Sequence, residues 1–498
     1  MGQRFFMEYS ERKPVNPTPV KPRIQATSKR VRTQPRVRLR LGERRALVGM
    51  GDFIMALLAL VIAISFWASA EAQQLELMVF IRLRLQAWFF ILPFAWLLLL
   101  VDSYDARRTS DFNKTFTSLI TSAVIGMILY LGIYFISDAS LPRRGVAMFL
   151  LASLFLTMLW RYIYIQIFTA PRFMHRALLV GAGVTGQAIL KIIVNLKPPP
   201  FILAGIIDDD PEKIGAEIMG HKILGGSERI LEVLEQENIS EIIVAITGLM
   251  QSDTFQILLE AQENGIEITR MPHAYEELLG RVPVHYLEAD WILRSFVDEA
   301  RAGTFYNLTK RLIDILGGLV GVIILLGIGP FIALAIILES GWPVVFEQTR
   351  AGKGGVPFKI LKFRTMQKNA EATGHPQLAK ENDNRATRVG RFLRKTHLDE
   401  WLQFINVLNG DMSIVGPRPE RPEFVEHFQQ QIPFYRARLL SKPGIAGWAQ
   451  INFDYAATMD EMVKKLEYDL YYIKHRNIMM DIIIILRTIA TIIGFRGR

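Results

Sequence analysis

The chain has 498 residues, half of them hydrophobic and 21% charged, with a net charge of +10 and a mean hydropathy of +0.22. That balance fits neither a purely soluble enzyme nor a purely embedded transporter, and the length suggests more than two folded units. With no cysteine, disulfides, thiolate nucleophiles and Cys-based zinc sites are excluded.

Residues 1–45 carry thirteen Lys/Arg against three Glu, which predicts a basic disordered tail lying on anionic lipid rather than a cleaved signal. The positive balance is thereby assigned to membrane lipid, and no nucleic acid partner is expected. Apolar runs follow at 46–70, 86–101, 116–137 and 146–168. Each is near the roughly 20 residues a helix needs to cross the hydrocarbon, so four transmembrane helices are expected over 46–170. An even number of crossings places the tail, Arg107, Arg108, Arg172 and Arg176 together on the cytoplasmic side, with Arg143 and Arg144 against the rule.

The pattern changes at "RALLVGAGVTGQAIL" (176–190), where a strand-like run enters Gly181-x-Gly183-x-x-Gly186 and then a helical segment. Further strand-like runs at 201–210, 241–247 and 266–272, with helical patterns between, predict a Rossmann-like α/β domain over 175–295. The glycines would let backbone approach a pyrophosphate, and Asp208 would reach a ribose. Against that stands a regulatory or dimerising domain with a vestigial loop, because about 120 residues make little more than one nucleotide-binding half.

Residues 310–338 form a long apolar run broken by Gly329-Pro330 and flanked on both sides by basic residues, among them Arg350, Lys353, Lys359, Lys362 and Arg364. A crossing would strand the later cations outside, so a re-entrant helix bent at Pro330 is expected. The closing run 478–495 contains Asp481 and Arg487 and reads as an interfacial or packed helix.

The segment "KTHLDEWLQFINVLNGDMSIVGPRPE" (395–420) holds the chemistry. Leu398, Trp401, Leu402, Ile405 and Leu408 give a helical stripe, Asn409-Gly410 a stop, and Thr396 with Asp399 an N-cap pattern. Asp399 could be only a capping carboxylate, and Glu400 an exposed first-turn acid. Yet Arg391, Arg394 and Lys395 precede the pair, and Arg418 sits between two prolines. Adjacent residues on a helix point about 100° apart, which suits separate tasks: one acid attacks phosphorus, the other holds a divalent cation.

Together with "FKILKFRTM" (358–366) and "KPGIAGWAQI" (442–451), this segment resembles the bacterial sugar transferase family of polyprenyl-phosphate phosphoglycosyl transferases, over roughly 305–498. The resemblance implies an α-rich cytosolic catalytic domain on the re-entrant helix, in the inner membrane of a bacterium. It implies transfer of hexose 1-phosphate from a UDP-sugar to undecaprenyl phosphate with release of UMP, the first membrane step of capsule, exopolysaccharide or O-antigen synthesis. By motif, Asp399 would be the nucleophile of a ping-pong cycle and Glu400 the Mg²⁺ ligand. Arg394 and Arg418 would grip phosphate, and Lys359, Lys362, Arg364 and Thr365 would line the site, with Lys310, Arg311 and Asp314 at the helix mouth. His397, Trp401 and Ala446 depart from the usual family residues and bear on substrate choice. A homodimer is expected. Two rivals remain: an NAD-dependent sugar-nucleotide dehydratase or epimerase, for which Tyr306-x-x-x-Lys310 supplies the letters, and a non-catalytic glycan-export scaffold.

Overall fold

The computed structural model describes residues 41–71, 87–100, 104, 112–136, 143–168, 174–196, 199–248, 250–287, 295–296, 303–367, 385–453 and 458–493. Most of the expected disordered tail lies outside this set, although helix α1 (Leu41–Glu71) already takes up residues 41–45.

The membrane bundle is built from α1, a 3₁₀ turn (Ala87–Ile91) running into the short α2 (Leu92–Leu99), α3 (Phe112–Ile136) and α4 (Arg143–Phe168). The second expected span is corrected here. Among the described residues it is an apolar helix of only Trp88–Leu99, about 18 Å long against a hydrocarbon core of about 30 Å. Helices α1 and α4 pack closely because Gly51 leaves room for the Trp160 ring, which a Cβ there would meet at 2.0 Å. Beside that contact Arg161 donates to Asp52 (Nη2 to Oδ2, 2.7 Å), both side chains fully buried.

The α/β unit has a six-stranded sheet in the order β3-β4-β2-β1-β5-β6. Its strands are β1 (Arg176–Val180), β2 (Ile202–Ile207), β3 (Glu217–Ile218), β4 (His221–Gly225), β5 (Glu241–Val244) and β6 (Glu267–Arg270). All pair in parallel except the edge strand β3. Side chains of β1 alternate between two cores. Ala177 and Leu179 pack with α5 (Val184–Asn195) and α8 (Met271–Leu279). Leu178 and Val180 face α6 (Ile230–Gln236) and α7 (Ser252–Glu263). Helices cover both faces of the sheet, giving three layers.

A third unit follows. Helix α9 (Thr304–Ser340) runs without interruption through Pro330, so the helix is not broken where a break was expected. Proline removes one donor, and the flanking turns continue. Next come the antiparallel hairpin β7 (Val345–Ala351) and β8 (Pro357–Phe363), then α10 (Arg388–Lys395), a 3₁₀ turn (Leu398–Glu400), α11 (Gln403–Asn409) and β9 (Ser413–Val415). Helix α12 (Pro422–Gln431), β10 (Gly444–Ala446), α13 (Trp448–Asn452), α14 (Met459–His475) and α15 (Ile478–Ile493) complete it, with β9 and β10 in parallel.

Both ends of α9 are fastened to this same unit. At one end Arg311 donates to the carbonyls of Val407 and Leu408, and Asp314 accepts from Ser413 and the Ile414 N–H. At the other, Glu339 caps the first N–H groups of α10 at Arg388 and Val389. Between them Gly318 and Gly321 admit Leu408 and Phe404, and Leu325, Ile332 and Ile336 join Phe363, Leu393 and Leu402 in one core. The opposite stripe of the helix, including Phe305, Leu312, Leu319, Leu326 and Leu338, is apolar and exposed. Helix α15 is packed: Asp481 is buried and takes Lys310 Nζ (3.0 Å) and Tyr472 Oη (2.8 Å).

The α/β unit is tied to the third unit through α8, α13 and α14. Tyr275 donates to Glu467, Lys474 to Glu276, and Trp448 Nε1 to the Gly280 carbonyl (2.8 Å).

Removing one partner of the buried bundle pair leaves an uncompensated charge, which costs about 3–5 kcal/mol in water-soluble cores. Arg161→Met alone is therefore expected to lower the thermal midpoint in detergent more than the pair Asp52→Leu with Arg161→Met. A double variant less stable than the single one would contradict this.

Candidate functional site

The acid pair is placed by a reversal of the chain. Helix α10 is capped by Thr387, whose hydroxyl accepts the Gly390 N–H (2.9 Å), and Gly390 is obligatory because a Cβ would lie 2.1 Å from the Thr365 carbonyl. The helix ends at Lys395. Thr396 does not cap the next helix, as the spacing predicted. Its hydroxyl turns back to the Phe392 carbonyl (2.9 Å), and His397 takes a left-handed conformation (φ 55°). Leu398–Glu400 then form a single 3₁₀ turn, and only from Gln403 does α11 run to its expected stop at left-handed Gly410 (φ 92°).

Within this turn the two acids differ sharply. Glu400 accepts from Lys362 Nζ (2.8 Å) at Oε1 and from Arg418 Nη1 (3.2 Å) at Oε2, with a second close Arg418 contact at Oε1. Burial works to raise its pKa, but Arg418 and then Lys362 outweigh it and hold the carboxyl well below the usual range. Asp399 is buried and receives no hydrogen bond among the described residues. Burial, reinforced by the Glu400 charge, pushes it up to about 6, against the opposing cations Lys362, Arg418 and Arg394.

The partners arrive on separate elements. Lys362 comes from β8, which Asn406 of α11 fixes like a neighbouring strand: its side chain accepts the Leu361 N–H (3.1 Å) and donates to the Lys359 carbonyl (2.8 Å). Arg394 lies on α10 and donates to Thr365 (3.0 Å). Arg418 comes from the Gly-Pro-Arg-Pro segment, whose Gly416 sits against the Lys442 carbonyl with no room for a Cβ.

Thus Asp399, Glu400, Lys362, Arg394, Arg418 and Thr365 come together, and two expected residues do not join them. Lys359 is three positions from Lys362 on a strand and so leaves the opposite face, where its exposed ammonium pairs with Glu347 (2.9 Å). Arg364 is buried against Ser340 (2.8 Å) and the Gly341 carbonyl, fastening the hairpin to the end of α9. Sequence reasoning missed Asn406; a buried amide bridging two backbone groups leaves no periodic signal.

In the α/β unit, Gly181 is left-handed (φ 105°), and a Cβ on Gly186 would stand 1.9 Å from the Gly181 carbonyl oxygen. Gly183 faces open space. Asp208 is already engaged, accepting the loop's own Ala182 N–H (2.6 Å) and meeting Lys213. Tyr306 and Lys310 both reach Asp481 in the third unit, so the letters of the dehydratase motif do not meet this loop.

Among the described residues no group of three or more His, Cys, Asp or Glu side chains gathers around a metal position. Glu400 has both oxygens engaged. The donor set fits Mg²⁺ only as a site of one or two carboxylates completed by substrate phosphate.

The model of a bacterial sugar transferase matches residues 305–494, and that of a CoA-binding domain matches 99–272. A UDP-glucose:undecaprenyl-phosphate glucose-1-phosphate transferase of Caulobacter vibrioides is 39% identical over 189 residues, covering 38% of this chain and 70% of that protein. The chain belongs to the bacterial sugar transferase family. A UDP-N-acetylgalactosamine-undecaprenyl-phosphate N-acetylgalactosaminephosphotransferase of Aeromonas hydrophila is 41% identical over 234 residues, 47% of this chain and 54% of that protein. A UDP-glucose:undecaprenyl-phosphate glucose-1-phosphate transferase of Xanthomonas campestris pv. campestris is 32% identical over 294 residues, 56% and 58% respectively. The chain thus spans little more than half the length of these last two relatives.

A carboxyl raised to about 6 in the fold from 3.8 favours the protonated state there, so its contribution to stability is present at low pH and lost as pH rises through 6. Asp399→Asn removes that buried charge. It is expected to raise stability at pH 8 by on the order of 1–3 kcal/mol, read as a higher thermal midpoint, with the gain fading below pH 4. A variant less stable than wild type at pH 8 would overturn the assignment.

Proposed function

We propose that the protein transfers hexose 1-phosphate from a UDP-sugar to undecaprenyl phosphate, releasing UMP, at the cytoplasmic face of a bacterial inner membrane. The observation that carries this reading is the division of labour in the acid pair, set in a sugar transferase fold. A carboxylate with a raised pKa and no hydrogen bonds is the more reactive nucleophile, and one locked between two cations is not.

In the first half-reaction an Asp399 oxygen attacks the phosphorus attached to the sugar. The bond from that phosphorus to the bridging oxygen breaks, and UMP leaves with the electron pair. In the second, a phosphate oxygen of undecaprenyl phosphate attacks the same phosphorus, the bond to Asp399 breaks, and the carboxylate is restored. Lys362, Arg394 and Arg418 lie where the transferred phosphate would sit, and their charges offset that of the pyrophosphate. Mg²⁺, held by Glu400 and substrate phosphate oxygens, would add further neutralisation when bound.

Helix α9 supports a placement at the membrane surface. A helix of 37 residues packed on one unit at both ends and between them, with an apolar outer stripe, is suited to lying in one leaflet with both ends on the same side. There the soluble donor and a lipid phosphate at headgroup depth meet the same acid pair.

Two outcomes are expected. In detergent with undecaprenyl phosphate and a panel of UDP-sugars, wild type releases UMP, and its rate falls as pH drops through about 6 while Asp399 protonates. Asp399→Asn should lose at least 10³-fold, the scale of removing a covalent nucleophile. Undiminished UMP release would favour the non-catalytic scaffold. Because the chain lacks cysteine, Phe305→Cys and Trp342→Cys can each be labelled without background. Both should react from the cytoplasmic side only, and opposite sides would mean a crossing.

A further inference from the structure

Arg418 is the one charged member of the acid-pair cluster carried on a segment without regular structure, so something else must aim it. Its neighbours Pro417 and Pro419 have no N–H to give a ladder. The carbonyls of the segment are gripped one after another. Pro417 accepts from the Gly444 N–H (2.9 Å), Arg418 from Arg438 Nη2 (3.0 Å), Pro419 from Arg350 Nη1 (3.2 Å) and Glu420 from the Ala351 N–H (2.8 Å). Two of these donors, Arg350 and Arg438, face the Glu420 carboxylate, and Arg438 is the nearer and the more deeply buried.

Arg438 is 4% exposed. Besides the Arg418 carbonyl it donates to Tyr435 Oη (2.8 Å) and Asp469 Oδ2 (2.8 Å), and lies 3.5 Å from Glu420. Glu420 is in turn held by Lys465 (2.6 Å). None of these groups bonds to Asp399 or Glu400. A buried ion-pair cluster gains little stability over well-packed apolar residues of the same size, so its geometry rather than its energy needs explaining.

We infer that Arg438, held in place by Asp469, Glu420 and Tyr435, is a positioning residue that fixes the Arg418 carbonyl and thereby aims the Arg418 guanidinium at Glu400. The planar fork of an arginine serves all of these acceptors at once, and a lysine cannot. The inference rests on the reading of Asp399 and Glu400 as the reacting pair. Its consequence is geometric: a misdirected Arg418 loosens one of the two grips on Glu400.

The test is kcat and KM for UMP release by wild type, Arg438→Lys, Asp469→Asn and Asp399→Asn, with active enzyme normalised to folded protein. Arg438→Lys is expected to lose on the order of 10- to 100-fold in kcat, with a much smaller change in KM for the UDP-sugar. Asp469→Asn, which keeps shape and acceptors, should lower kcat in the same way by less. In an Arg418→Lys background the Arg438→Lys change should cost little more, because its target is already altered. A kcat per folded enzyme equal to that of wild type would overturn the inference, as would failure of both variants to fold. Turnover retained by Asp399→Asn would instead strike down the functional reading itself.

Discussion

The site depends on one carboxylate shared by two cations. Glu400 is bound at once by Lys362 from a β-hairpin and Arg418 from a proline-bracketed segment, so three stretches of chain converge on it. Within a tight turn its neighbour Asp399 is then left buried and, among the described residues, without hydrogen bonds, next to a fixed negative charge. Desolvation and like charge act on Asp399 in the same direction, and the nearby cations limit the rise without cancelling it. Two identical chemical groups on adjacent residues thereby acquire different protonation behaviour, a pattern that assigns separate roles in many active sites.

That geometry needs the long helix α9 as its foundation. The glycines at 317, 318 and 321 let β9 and α11 lie against it, and Arg311 and Asp314 satisfy backbone groups at 407, 408 and 414. Arg364 and Glu339 do the same at its far end. The acid pair therefore rides on the flank of an apolar helix whose outer face is exposed among the described residues. Packing uses one side of this element and leaves the other apolar and open, as the proposed placement at a lipid surface requires.

Much of this was legible in the sequence because it lies in local pattern: the α/β alternation, the long apolar run, the acid pair with its flanking basic residues, the glycine stop at 410. What was not legible has physical reasons. The span expected at 86–101 is apolar enough but, among the described residues, too short as a helix. Thr396 matched a capping pattern, yet the left-handed His397 next to it redirects the chain, and no propensity announces that. Lys359 and Lys362 belong to one motif but differ by an odd number on a strand, so they part company. Asn406, Arg438 and Asp469 act across 20 to 47 residues of chain, where neither periodicity nor spacing carries a signal.

The central claim is that Asp399 itself carries the phosphosugar between donor and acceptor. The direct measurement is rapid quenching of wild type with UDP-sugar in the absence of lipid acceptor, followed by digestion and mass spectrometry. The account predicts a hexose-phosphate mass on the peptide containing Asp399, discharged when undecaprenyl phosphate is added. UMP formed in step with product while that peptide stays unmodified, or an adduct on a different residue, would contradict it.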